Sequence, residues 1–110
     1  MGARFVKRES PPFELPVTFK REGGDTLDVV FVVEYKGPQA LHEWVSRPVS
    51  DPDSVRLCSV VRGWDLVDGD DVPIPVSAAA FAEVLDDYDG AVQTFLARYV
   101  SGCGEHREKN

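Results

Sequence analysis

The apolar residues change period once, at Gly37-Pro38, and that change restricts the fold more than any other feature of the chain. Upstream of it Phe13, Leu15, Val17 and Phe19 fall on alternate positions, as do Leu27, Val29, Phe31, Val33 and Tyr35. A two-residue repeat is what a strand with one buried face requires. Arg21-Glu22-Gly23-Gly24-Asp25 lies between the two runs and supplies turn chemistry, so a β-hairpin is predicted. Residues 4 to 8, ahead of the Ser10-Pro11-Pro12 break, are a candidate third strand.

Downstream the spacing becomes three and four. Pro38 suits a first helical position, Leu41, Trp44 and Val45 form a stripe, and Pro48 ends the segment. Asp51-Pro52 repeats the start signal, and Leu57, Val60, Val61 and Trp64 at i, i+3, i+4 and i+7 predict a second helix ending near Trp64. Ser77 is placed to cap a third helix carrying Phe81, Val84, Leu85 and Tyr88, which Asp89-Gly90 breaks. The fourth carries Val92, Phe95, Leu96, Tyr99 and Val100, with a stop expected at Gly102 and Gly104. The class is therefore α+β: an N-terminal β-hairpin or small antiparallel sheet followed by about four α-helices. Residues 1–110 are expected to form a single domain with its ordered core at about 13–102, a loose first dozen residues and a polar C-terminal tail.

The formal charge of −7 repels phosphate backbones and anionic lipid, so neither nucleic acid nor a membrane surface is an expected partner. The clusters Arg4-Phe5-Val6-Lys7-Arg8 and His106-Arg107-Glu108-Lys109 read as solvated tails. Cys58 and Cys103 show neither CxxC spacing nor the density of a disulfide scaffold, which fits reduced thiols in a cytosol. Val29 to Val33 is too short an apolar run to span a bilayer, and the N-terminus lacks a signal-peptide core. A cytoplasmic location is expected.

The segment Val61 to Leu85 sets four aspartates, Asp65, Asp68, Asp70 and Asp71, around Gly69. With Gly69 at position 6 of a calcium loop, Trp64, Leu66 and Asp68 fall at 1, 3 and 5 and Pro75 at 12, so most ligands are missing. Aspartate and glycine are also ordinary turn residues, and the turn reading is preferred. Cys58, Cys103, His42 and His106 are suitable zinc ligand types without zinc-site spacing. The chain lacks a GxSxG elbow, and His42 reads as a surface or partly packed side chain. Gly23-Gly24 stands without a P-loop or GxGxxG pattern and fits a hairpin turn. No catalytic residue, metal or cofactor is expected.

From residue 55 onward the order of features resembles the tail assembly chaperones of long-tailed bacteriophages and prophages. The pieces are Gly63-Trp64, the acidic turn Asp65 to Asp71 with Asp68 and Gly69, and the link Val72-Pro73-Ile74-Pro75-Val76. A helix capped by Ser77 and bearing Phe81, Leu85 and Tyr88 follows, then the terminal helix with Phe95 and Tyr99. Val17-Thr18-Phe19-Lys20 is similar to the family's N-terminal β segment. The resemblance implies a structural role for these residues and no catalytic set. It also implies a protein that binds the tape measure protein and keeps it soluble during tail morphogenesis, self-associates as a homo-oligomer, and is absent from the mature virion. The other class of reading is a small acidic regulatory or immunity-type module, a monomer that neutralises one folded partner.

Overall fold

The structure is a computed structural model that describes residues 2–5, 10–47 and 50–109. Two long strands, β1 (Phe13–Lys20) and β2 (Thr26–Val33), form the expected hairpin, closed by Gly23 and Gly24, both at positive φ (101° and 98°). Helix α1 (Pro38–Ser46) follows, then α2 (Asp53–Cys58), strand β3 (Val61–Trp64), α3 (Ala78–Asp87) and α4 (Ala91–Lys109). The sheet is antiparallel with order β1-β2-β3, so the second strand of the hairpin lies in the centre.

The alternation in the hairpin sorts its side chains. Leu15, Val17, Phe19, Val29, Phe31 and Val33 are buried on one face, and Glu14, Pro16, Thr18, Lys20, Asp28 and Val30 are exposed on the other. The covered face packs against Leu57, Phe81, Phe95, Tyr99 and Cys103 from the helices. No charged or polar side chain is buried among the described residues.

Two expectations need correction. The second helix stops at Cys58, and Val61–Trp64 forms the third strand. Leu57, Val60 and Val61 are buried and Trp64 half-buried, so the spacing marked the inward residues correctly and the period wrongly. The chain passes from a helical turn into a strand while keeping those side chains inward, because β2 has a free edge that β3 pairs: Val61 lies opposite Val33 and Gly63 opposite Val32. Residues 4 and 5 belong to no element, and 6 to 8, the rest of the candidate third strand, lie outside the described residues.

The second correction concerns α4, which runs through Gly102 and Gly104 to Lys109 rather than stopping at the glycines. A Cβ on Gly102 would stand 2.6 Å from Leu15 Cδ1 and 3.2 Å from Phe13 Cε2. Gly102 is thus the notch that lets α4 lie against β1, where close approach outweighs the low helix propensity of glycine.

The exposed edge of β1 is occupied in part. Val30 N donates to Asp65 Oδ1 (2.9 Å) on the β3 side, so its partner Pro16 turns its own backbone outward, where proline has no N–H to offer. Pro16 O accepts from Arg98 Nε (3.2 Å), and Lys20 O accepts from Asp89 N (3.1 Å). These contacts take up two carbonyls of the edge, and the proline interrupts its run of donors.

Candidate functional site

Val61 to Leu85 divides into a half that joins the core and a half that leaves it. Trp64 closes β3 and donates from Nε1 to Ile74 O (2.7 Å), which fixes the middle of the Pro-containing link against the end of the strand. Its ring meets Phe31 (centroids 6.2 Å apart) and Phe81 (5.9 Å) edge-on. Phe31 also meets Phe81 (5.6 Å) and Phe95 (5.1 Å), and Phe95 stacks on Tyr99 (6.1 Å). Trp64, Phe81 and Phe95 are therefore brought together on one strand residue, Phe31, with Tyr99 stacked behind Phe95, in the mixture of edge-to-face and stacked pairs that aromatic rings favour. Tyr88 sits apart, tilted against Phe19 and under the Arg21 guanidinium, 4.7 Å from its ring centroid. Gly63 lies opposite Val32 on β2.

The acidic turn is closed by one of its own carboxylates, that of Asp68. Asp68 Oδ1 accepts from Asp70 N (2.8 Å) and Val72 N (3.1 Å), and Asp68 N donates to Val72 O (2.9 Å). Val67 bridges Pro73, and Ile74 N donates to Leu66 O (3.0 Å), so residues 66–74 make a small loop with Gly69 and Asp70 at its tip. Asp71 takes a left-handed φ of 61°. Asp68, Gly69, Pro73 and Pro75 all lie exposed. Ser77 Oγ accepts from Ala80 N (3.0 Å) and starts α3.

Sequence reasoning missed Asp65, whose carboxylate stands in for a backbone carbonyl and extends β3 pairing by one hydrogen bond to Val30 N. It also missed the Tyr99 hydroxyl, which donates to Glu34 O (2.7 Å) just beyond β2. Neither bond leaves a signal in residue spacing. The Tyr99 phenol is pushed up by burial and by the neighbouring Cys103, and the Cys58 thiol is pushed up by burial; both groups are protonated near neutrality. His42 is exposed, His106 stacks on Phe13 (4.7 Å), and Cys103 is buried. Among the described residues no three His, Cys, Asp or Glu side chains gather as a metal site, and no helix is long and apolar enough to cross a membrane.

Two of the surface grooves are walled largely by aliphatic side chains. One, of about 350 Å³, lies between α1 and α4 and is lined by Pro38, Leu41, Val45, Val100 and Gly104 with His42 and Arg107 at the rim. A Cβ on Gly104 would meet only Arg107, at 3.8 Å, so packing does not call for that glycine; its effect is to open the groove. The other, of about 230 Å³, lies between the acidic loop and α3, with Leu27, Leu66, Ile74 and Val84 in its wall and Glu83 and Asp87 at its rim. Between Arg62 and Arg98 the chain has no lysine or arginine. That stretch carries Asp65, Asp68, Asp70, Asp71, Glu83, Asp86, Asp87 and Asp89, of which Glu83 and Asp87 line the second groove.

The sequence model of a family described as phage tail assembly chaperone matches residues 1–110, the whole chain, and the protein belongs to that family. No curated protein and no solved structure matches it.

Proposed function

We propose that this member of the phage tail assembly chaperone family binds the tape measure protein, holds it soluble in the host cytoplasm while the tail assembles, and does so as several copies without catalysis. The observation that carries the reading is the groove between α1 and α4, where Val45 and Val100 stand 40% and 42% exposed beside Leu41 and the vacant side-chain space of Gly104. A shallow apolar channel floored by glycine suits the apolar stripe of a partner helix. A tape measure chain is long, helix-rich and partly apolar, as the family resemblance implies. The net charge of −7 then keeps the loaded complex dispersed.

Copy-to-copy contact through the hairpin edge is hindered by Pro16, Arg98 and Asp89 along β1 and by β3 along β2. The test is co-expression with the tape measure protein encoded by the same phage. Its soluble fraction should rise, the purified complex should hold more than one copy of the chaperone per tape measure, and binding should survive moderate salt. Val45→Glu combined with Val100→Glu should abolish the rescue while far-UV circular dichroism stays unchanged. Unchanged tape measure solubility with no complex at micromolar concentration would overturn the assignment in favour of a single-partner regulatory module.

A further inference from the structure

We propose that the groove between α1 and α4 selects, along its partner, a helical segment with a carboxylate beside its apolar stripe, and that Arg107 reads that carboxylate. This rests on the proposed function and adds to it the chemistry of the segment bound. The two walls of the groove match in length. Pro38, Leu41 and Val45 fall at i, i+3 and i+7 on α1, and Val100, Gly104 and Arg107 fall at i, i+4 and i+7 on α4. Each stripe covers two helical turns, about 10 Å at the rise of an α-helix, which suits two turns of a partner helix laid between them.

The charge at this groove is opposite in sign to that of the protein. The chain carries 19 carboxylates against 12 basic side chains, yet no carboxylate lines the groove among the described residues, and its titratable members are His42 and Arg107. From Ala91 to Gly104 the sequence of α4 contains no Asp or Glu. Gly104 and Cys103 stand three and four residues before Arg107, so the preceding turn of its helix supplies no counter-charge. Arg107 is exposed and makes no ion pair among the described residues.

Gly104 brings that charge to the groove. A Cβ at position 104 would meet Arg107 Nη2 at 3.8 Å and nothing else within 4 Å. The guanidinium therefore lies back over the bare backbone of Gly104, where its planar fork is placed to take a carboxylate by two parallel hydrogen bonds. A second copy offering the same face would bring no carboxylate to meet it. Selection follows from the sign of the charge. A long helix-rich partner offers many apolar stripes, among which aliphatic walls alone discriminate little. A carboxylate flanking one stripe gains a pair with Arg107, whereas a lysine or arginine there sets like charges together.

The experiment uses the full chain and the tape measure segment that it shields from limited proteolysis, made as a synthetic peptide and titrated by isothermal calorimetry. That segment should hold an Asp or Glu three or four residues from an aliphatic member of its stripe. Arg107→Gln should weaken binding a few fold and remove its modest salt dependence, and Arg107→Glu should weaken it about tenfold, with circular dichroism unchanged in both. Replacing the carboxylate of the peptide by lysine should lower its affinity for the wild-type chain and restore affinity for Arg107→Glu, an exchange that a merely structural Arg107 would not give. A peptide that binds the wild type and Arg107→Glu alike, or a charge exchange that restores nothing, overturns the inference and leaves the proposed function standing. A tape measure protein with no shielded segment overturns both.

Discussion

The two ends of the sheet are held to the helices by different forces. At the Phe13 end α4 lies in van der Waals contact with β1 over Gly102, Phe13 stacks on His106, and the Tyr99 hydroxyl is enclosed against Glu34 O. At the Lys20 end the closure is polar and exposed. Arg21 pairs with Asp87 and covers Tyr88, Glu22 N donates to Asp89 Oδ2 (3.0 Å), and Asp89 N donates to Lys20 O. The first end is sensitive to volume and indifferent to ions, and the second is the reverse. A single sheet can therefore be fixed at one end and adjustable at the other, with the adjustable end beside the acidic groove.

Enlarging the side chain at the tight end should have the greatest effect. Gly102→Leu places a good helix former where a Cβ already collides with Leu15, so the loss, about 2–3 kcal/mol in denaturant melts, reports overpacking rather than propensity. The same change in guanidinium and in urea would show it to be independent of ionic strength. Next comes Tyr99→Phe, which removes the hydrogen bond to Glu34 O and should cost about 1–1.5 kcal/mol at neutral pH. Because the native phenol is raised above the ordinary value of about 10, the unfolded chain gives up this proton first as pH climbs. Wild-type stability should therefore be intact below about pH 9 and fall above about pH 10, and the variant should lose less over the same range. Melting curves from pH 7 to 11 would measure the difference.

At the polar end Arg21→Ala should cost only about 0.5–1 kcal/mol, since the ion pair with Asp87 is largely exposed, and the cost should shrink in high salt. A larger, salt-independent loss would erase the distinction between the ends. Smallest and opposite in sign, Gly104→Ala should stabilise α4 by up to about 0.5–1 kcal/mol because no core atom crowds the new methyl group. Two glycines a turn fraction apart on one helix would then respond in opposite directions.

The hairpin, α3 and the capping of α3 by Ser77 were legible because local pattern and tertiary demand agree there: alternation matches the half-covered sheet and the Phe81, Val84, Leu85 stripe matches one covered helix face. The strand Val61–Trp64 was not, since four inward residues at helical spacing satisfy either reading and only the vacant edge of β2 decides between them. Gly102 misled for a related reason. A glycine that ends a helix and one that admits a neighbouring strand look alike in one dimension. Of the candidate residues, Trp64, Phe81, Phe95 and Tyr99 announced themselves as core-facing aromatics, whereas Asp65 and the two grooves arise from elements far apart in sequence. The acidic turn was visible as a turn, but the role of Asp68 in closing it depends on an oxygen reaching two particular amides.

Helix α1 buries only Leu41, and Arg56 of α2 holds its far end by donating from Nη2 to Trp44 O (3.2 Å) and Val45 O (2.8 Å) while its guanidinium lies over the Trp44 ring. Arg56 thus ties the C-terminal part of α1 to α2, and α1 forms a wall of the apolar groove. In the language of hydrogen exchange, α1 is expected to open as a separate unit, its amides exchanging before those of α4, which an exchange time course would check.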